Sequence, residues 1–483
     1  MNSPFGTVLA VFGGLTIVSY FLYDNFYCYQ SDYSNVTIVS NSDPASTKGS
    51  DFYTGPEIDS YSECIIDGHN NITTHQLPHM EILERWRTYN VSRLDQFDMG
   101  LHIINAYTYP NFISITLTTR NHYRQTVFCR YYDCHKREIS PPYETVIYPE
   151  SNVMCVRKRG ADYISITFEV DEEAQEPVKL VDRTKGYEHE FAVCLAPFHG
   201  TEKKWIAIIE LIEYYKLMGA TMFYLYVVEI DDYTDLVLKD YLRTNDIEVT
   251  YLRDRFWSLP FAWHMVSINE CTQRSRFHAK WTAFHDLDER VAMNATSKYS
   301  RVVDYLRDVI DPNVVSLEFR VQWIKKTAKF PERFVNDSQL ESEMIFRKFH
   351  STGSNLTRHG FQQKCIVRTD KIGGMFVHYV WHALMFPGMK VVLVDPEIGY
   401  LKHYRQLEDS FMKNFHIGNI VQTGIDPDLE KPLTDAILKR AKFVYDQQPA
   451  PNCTVQQQLY KYFLRHAPCY LEELERNKTM LQN

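Results

Sequence analysis

From residue 191 onward the apolar positions keep two alternating periods. Residues 191–197 form a short apolar run. Across 205–218 apolar side chains recur at Trp205, Ile208, Ile209, Ile212 and Tyr215, a stripe of helical spacing, and Gly219 is placed to cap its end. Residues 221–228 are apolar throughout, as a strand covered on both faces requires. A short helix over 235–242, a strand over 247–252, a helix over 261–277 and a strand over 281–285 follow. This alternation predicts a βαβ series and a mostly parallel sheet. Beyond it the pattern predicts a helix over 302–310, strands over 314–319, 365–368 and 389–394, and helices over 429–445 and 455–476. Residues 336–361 are polar and read as an exposed loop or lid.

Upstream the texture differs. Short alternating or β-branched runs, such as 112–118 and 163–170, fill residues 94–181 between turn-like clusters of Pro, Asn and Gly, which predicts a small β-rich domain. Residues 179–190 are polar and read as the join to the βαβ region. Residues 30–71 are rich in Ser, Asn, Asp, Thr and Tyr and read as an unpacked stem. Residues 4–23 carry no charge. At about 1.5 Å each, such a helix reaches ~30 Å, the thickness of a bilayer core. Tyr23, Phe26 and Tyr27 suit an interfacial end, and an uncleaved signal anchor fits better than a cleaved signal peptide.

Composition changes this picture little. At 483 residues and 45% hydrophobic, the chain can bury a sizeable core in two or three domains. A dispersed net charge of −9 leaves no basic footprint and argues against nucleic acid. Ten cysteines occur without a Cys-x-x-Cys pair, which disfavours a zinc ribbon. Asn-x-Ser/Thr sequons begin at Asn35, Asn71, Asn90, Asn294, Asn336, Asn355, Asn452 and Asn477. That is an excess over the roughly three expected by chance, and places the body in the secretory lumen with disulfide-bonded cysteines. The whole then reads as a single-pass type II membrane protein.

Candidate chemistry centres on Asp286-Leu287-Asp288-Glu289, where an apolar strand runs into three carboxylates. Charges at a buried strand end require a cationic partner. Mg²⁺ and Mn²⁺ take oxygen ligands and commonly share them with a phosphate. Asp-x-Asp alone is a weak signal, but ligands of parallel sheets sit at the carboxyl ends of strands, where this one falls.

Segment 194–290 holds, in order, Cys194-Leu195-Ala196-Pro197-Phe198-His199-Gly200, Trp205, Glu213-Tyr214-Tyr215-Lys216-Leu217-Met218-Gly219-Ala220-Thr221, Phe223-Tyr224-Leu225-Tyr226, Asn269-Glu270-Cys271, Lys280-Trp281 and the carboxylate motif. In that order these pieces resemble glycosyltransferase family 92. Lys364-Cys365-Ile366-Val367-Arg368, His378, His403-Tyr404-Arg405 and the upstream Cys129-Arg130-Tyr131-Tyr132-Asp133 extend the likeness to about residues 125–410. Asn269-Glu270-Cys271 stands where the family usually has Asn-Asp-Cys, which keeps the charge.

The resemblance implies a GT-A-like, Rossmann-like α/β fold with helices on both faces of a mostly parallel sheet. It implies an inverting transferase that uses a UDP-sugar, usually UDP-galactose, with Mn²⁺ or another divalent cation. Its acceptor would be a glycan on a glycoprotein or glycolipid in the Golgi lumen, such as the core fucose of nematode N-glycans in a β1,4 linkage. The corresponding division is 1–29 cytosolic end and anchor, 30–80 stem, 81–188 β-rich domain, 189–425 catalytic domain and 426–483 helical extension. Asp288 is the expected main metal ligand, Asp286 a ligand to the metal or to the ribose, with Glu289 supporting them. His378 is expected at the metal or diphosphate. Arg405, Lys280 and Arg276 are each candidates for the donor phosphates or for structural ion pairs. Inversion needs a carboxylate base, for which Glu318 is the first candidate and Asp395 and Glu397 are rivals. Two other readings stay open: a catalytically silent relative that binds glycans, and a metal-dependent phosphoester hydrolase.

Overall fold

The computed structural model describes residues 63–77, 102–118, 125–149, 151–200, 202–252, 260–381, 385–407 and 418–446. The expected anchor at 4–23, most of the expected stem, the helix expected over 455–476 and the sequons at Asn35, Asn90, Asn452 and Asn477 lie outside them. No helix among the described residues is long and apolar enough to cross a membrane.

The first sheet comprises β1 (Ile103–Thr108), β2 (Ile113–Leu117), β3 (Thr126–Tyr132), β4 (Tyr143–Val146), β5 (Asn152–Cys155), β6 (Tyr163–Thr167) and β7 (Val178–Asp182), in the order β4-β3-β6-β7-β1-β2-β5. Only β1 and β7 pair in parallel. A bridge between Ile147 and Val153 brings the two edges together, so the sheet curls around its own core of Ile115, Leu117, Val127, Tyr131 and Ile164. Disulfides Cys129–Cys155 and Cys64–Cys134 staple it. Residues 178–182, largely within the expected join, are instead the strand β7. The alternation around Leu180 turns that side chain into the core while Lys179 stays in solvent.

The second sheet follows the predicted alternation. It runs through β8 (His189–Leu195), α1 (Trp205–Leu217), β9 (Met222–Val227), α2 (Asp232–Arg243), β10 (Ile247–Tyr251), α3 (Pro260–Ser275) and β11 (Ala279–His285). Then come β12 (Glu289–Met293), α4 (Val302–Asp308), β13 (Val314–Phe319) and β14 (Val321–Lys325). The chain continues through α5 (Asp337–Glu343), α6 (Ile345–Lys348), β15 (Ser351–Gly353), β16 (Lys364–Val367), β17 (Lys390–Leu393), β18 (Gly399–Arg405), β19 (Ile420–Gln422) and α7 (Pro427–Asp446). The sheet order is β10-β9-β8-β11-β16-β13-β17, and every pair is parallel except the two made by β16. Successive side chains point to opposite faces. Phe191, Val193, Phe223 and Leu225 pack with α1, α2 and α7, while Ala192, Cys194, Tyr224 and Tyr226 pack with α3. Helices therefore cover both faces, and β9 is buried along its whole length. Disulfide Cys194–Cys271 links β8 to α3.

A third sheet, β12-β18-β14-β15-β19, was not foreshadowed by the hydrophobic pattern. It also corrects the reading of residues 336–361. That stretch holds α5, α6 and β15, and its Leu340, Met344, Ile345, Phe346 and Phe349 are buried in the core. Short apolar groups set in a polar stretch gain burial through tertiary packing that local composition does not record.

Candidate active site

The carboxylate motif is the turn from β11, in the second sheet, into β12, in the third. The turn closes on itself. The Glu289 N–H donates to the Asp286 carbonyl (3.1 Å), and the Asp286 N–H donates to Glu289 Oε2 (2.8 Å). Glu289 is thus fully buried behind the turn, while Asp286 and Asp288 keep 31% and 35% of their side chains exposed.

Distant segments deliver cations to this turn. Because β16 runs antiparallel to β11, its first residue arrives at the carboxyl end of β11. Lys364 Nζ, 2% exposed, lies 3.1 Å from Asp286 Oδ2 and 3.4 Å from Glu289 Oε2. The β12–β18 register sets His403 opposite Glu289. His403 Nδ1 is 3.4 Å from Glu289 Oε1 and Nε2 is 3.4 Å from Asp288 Oδ2, with the ring stacked on Trp323 at 4.5 Å between centroids. From α3, His264 Nε2 reaches to 3.7 Å from Asp286 Oδ1. Burial would raise the Asp286 carboxyl, but Lys364, His264 and His403 outweigh it and hold the group well below its ordinary range. Burial likewise opposes the charge on Asp288, and His403 overcomes it. Burial pushes His403 down, yet Asp288 and Glu289 carry it upward, toward the imidazolium.

The residues expected from sequence separate into two groups. Asp286 and Asp288 come together as expected, and Arg405, at the end of β18, acts electrostatically on Asp288 and His403. His378 also faces this cluster, interacting with Lys364, Asp286 and His264. Its Nδ1 lies 3.1 Å from the Gln363 carbonyl, to which it donates, leaving Nε2 with the lone pair. Burial holds this ring far below the usual histidine range, so it is neutral. By contrast, Lys280 and Arg276 stand at the amino end of β11. Lys280 pairs with Glu190 at 2.8 Å, and the buried Arg276 donates to the Ile372 carbonyl at 2.7 Å. At about 3.3 Å per residue, β11 separates them from Asp286 by roughly 20 Å or more, so both leave the donor-binding set. Glu318 does not open to the cleft. It is 4% exposed and accepts a hydrogen bond from the Gln363 amide, so it is enclosed rather than open to an incoming hydroxyl. Asp395 and Glu397 lie on an exposed turn after β17.

Lys364, His403 and His264 were missed as partners of the carboxylates. The first two stood within motifs of the family resemblance, but no spacing connects them to Asp286. Only the strand register does. Among the sequons within the described residues, Asn71, Asn336 and Asn355 are exposed, whereas the Asn294 amide donates to the Pro396 carbonyl at 3.0 Å.

The donor set is carboxylate oxygen and imidazole nitrogen, which suits Mn²⁺ or Mg²⁺. Asp286 Oδ1 accepts no hydrogen bond among the described residues. The turn offers oxygen ligands to a divalent cation, with Asp288 at the mouth and Lys364 neutralising part of the charge behind it, but among the described residues no three of its donor atoms lie within 4.8 Å of one another, so a bound ion would have to draw them closer.

The sequence model of glycosyltransferase family 92 matches residues 189–440. The chain belongs to glycosyltransferase family 92, and its activity is glycosyl transfer. No curated protein matches it. Solved structures similar to it include mannosyltransferase PcManGT from Pyrobaculum calidifontis, in complex with GDP-Man and Mn²⁺, at 10% identity and a TM-score of 0.27, covering 57% of this chain and 81% of that one. Others are HddC from Yersinia pseudotuberculosis (11% identity, TM-score 0.23, 51% and 99% covered) and TarS 1–349 from S. aureus (12%, 0.25, 59% and 78%).

Proposed function

We propose that this chain is an inverting, GT-A-type galactosyltransferase that moves galactose from UDP-galactose to a glycan acceptor in the lumen of the secretory pathway, held at the Golgi membrane by residues 4–23. The observation that carries the reading is the convergence of Asp286, Asp288, His378 and His403 at the carboxyl end of β11, with Arg405 beside them. Asp288, with Asp286 or His378, would hold Mn²⁺. Bound there, the cation supplies electrostatic stabilisation of the departing diphosphate. The protein's own groups add to this. Arg405 and Lys326 act on Asp288 from the rim and suit the donor phosphates. Lys364 keeps Asp286 ionised, and Glu289 holds the turn by accepting the Asp286 backbone N–H, so the carboxylates need little reorganisation when the donor arrives. The three disulfides and the excess of sequons support a lumenal setting.

The test is transfer from UDP-galactose to a glycan array, with and without Mn²⁺, by the full chain and by Asp288→Asn. The variant is expected to lose at least ~100-fold in kcat with an unchanged melting temperature. Full activity in the variant would sink the metal assignment. Glycan binding without turnover in the unaltered protein would favour a silent glycan-binding relative. Free galactose released despite acceptor would indicate hydrolysis.

A further inference from the structure

At the other end of the same sheet lies a cluster that this transfer reading does not use. His189 is the first residue of β8, Glu188 precedes it, and His278 precedes β11. The backbone binds the three together: the Glu188 and His189 N–H groups both donate to the His278 carbonyl, at 3.0 and 3.1 Å. One ligand-capable atom from each of the three side chains falls within 4.8 Å of the others. His278 Nε2 is 3.8 Å from Glu188 Oε2, and the two imidazoles meet edge to face at 4.8 Å between centroids. Each ring also has its Nδ1 held by a hydroxyl, at 2.9 Å to Thr221 Oγ1 for His189 and 2.8 Å to Tyr224 OH for His278. Fixing one imidazole nitrogen by a hydrogen bond is how metal-bound histidines are oriented, leaving the other to the ion.

We propose that Glu188, His189 and His278 form a divalent-cation site of the borderline kind that takes imidazole and carboxylate together, as Zn²⁺ does, separate from the carboxylate turn. Tetrahedral Zn²⁺ with bonds near 2.0–2.2 Å needs its ligand atoms about 3.3 Å apart. The exposed Glu188 side chain can approach to close its own 3.8 Å gap, and any gap between the two ring nitrogens must close by rotation of the rings. A solvent molecule would complete the fourth position. Arg183 and Arg274 both act against positive charge at His278, but each is partly offset, Arg183 by Glu248 at 2.8 and 3.0 Å and Arg274 by Glu270 at 3.2 Å, and Glu188 adds a negative charge on the exposed side. Such an ion would pin the amino ends of β8 and β11 to each other and, through Tyr224, to β9. At about 3.3 Å per residue the site lies roughly 25 Å along β11 from Asp286, so its role is structural.

The experiment is calorimetric titration of the chelator-stripped full chain with ZnCl₂ and, separately, with MnCl₂, alongside Thr221→Ala and the double variant Glu188→Gln, His189→Asn. Thr221 and Glu188 are exposed, which favours folding of these variants, and circular dichroism checks it. The carboxylate turn will also take Zn²⁺, so the expected result is two Zn²⁺ events in the unaltered chain, one of them weakened ~10- to 100-fold in Thr221→Ala and lost in the double variant. The Mn²⁺ isotherm should stay the same throughout. Absence of Zn²⁺ binding in the unaltered chain, or an unchanged Zn²⁺ isotherm in the folded double variant, overturns the proposal.

Discussion

Glu210 is a carboxyl group enclosed on every side of α1, and its cost is set by pH. Burial is the main reason its pKa rises from 4.5 to about 7, although the Ile345 N–H donates to it at 2.6 Å and Arg290 lies near. In the unfolded chain the group titrates near 4.5, so between 4.5 and about 7 the native state holds a proton that the unfolded state has released. Stability must then fall as pH rises through that window, by about 3 kcal/mol in total. Thermal melts from pH 4.5 to 7 should show this slope, and Glu210→Gln should flatten it, because a neutral amide keeps the acceptor oxygen without the proton. Lys364 poses the converse case at the carboxylate turn. Its ammonium is the buried partner of both Asp286 and Glu289. Lys364→Ala leaves two carboxylates facing each other and should cost ~3–5 kcal/mol. Mn²⁺ should restore more stability to this variant than it adds to the unaltered chain, read as the shift in melting temperature. Equal shifts would show that the cation does not see these carboxylates.

At the scale of elements, the end of α1 shows how a single position fixes a connection. Gly219 has φ +96°, the left-handed region that lets a helix stop and turn. A Cβ there would also overlap Val303 of α4, whose N–H donates to the Met218 carbonyl at 3.1 Å. Gly219→Ala should therefore cost about 2–4 kcal/mol, the sum of backbone strain and overpacking. Adding Val303→Ala should recover the overpacking part only, which urea midpoints of the single and double variants can separate. This cap was legible in the sequence because the apolar stripe ends one turn before a glycine. The buried strands β9 and β11 were legible for a similar reason, since continuous apolar runs need no partner to be noticed. The third sheet was not. Gly399–Arg405 reads Gly-Tyr-Leu-Lys-His-Tyr-Arg, and its Lys402 and His403 are buried between β12 and β14, with the Lys402 ammonium donating to the Gly424 carbonyl. The same divide runs through the candidate site. The carboxylates announce themselves as three charges at a strand end, whereas Lys364 and His403 reach them only through strand pairing, which a sequence does not print.

For the whole described body, the question is what joins the first sheet to the second. Helix α3 lies between them, and its Glu270 is one link, beside the Arg183–Glu248 pair. Buried completely, this carboxylate accepts from Asn105 at 2.7 Å and from the Tyr107 hydroxyl, both in β1, and from the Tyr226 hydroxyl in β9. Arg274, one turn along α3, meets it at 3.2 Å. Burial raises both tyrosines far above their ordinary range, so they remain donors at any physiological pH. One side chain thus ties strands of two sheets. A shorter aspartate would hold the charge back by one methylene. Glu270→Ala strips the counter-charge from Arg274 and the acceptor from three donors, and should cost ~3–5 kcal/mol, with Glu270→Asp between it and the unaltered chain. The first sheet, within residues 103–182, contains no tryptophan, while Trp205, Trp281 and Trp323 lie in the core around the second and third sheets. Trp263 lies on α3 itself and Trp86 precedes the first sheet, so with both replaced by Phe in every chain compared, tryptophan fluorescence reports on the second and third sheets and far-ultraviolet circular dichroism on both sides. In the unaltered chain the two urea transitions should coincide. In Glu270→Ala they should separate, with the ellipticity falling first as the first sheet loosens. If they stay together, the coupling resides in the apolar packing of α3 against both sheets, and the carboxylate network adds stability without adding cooperativity.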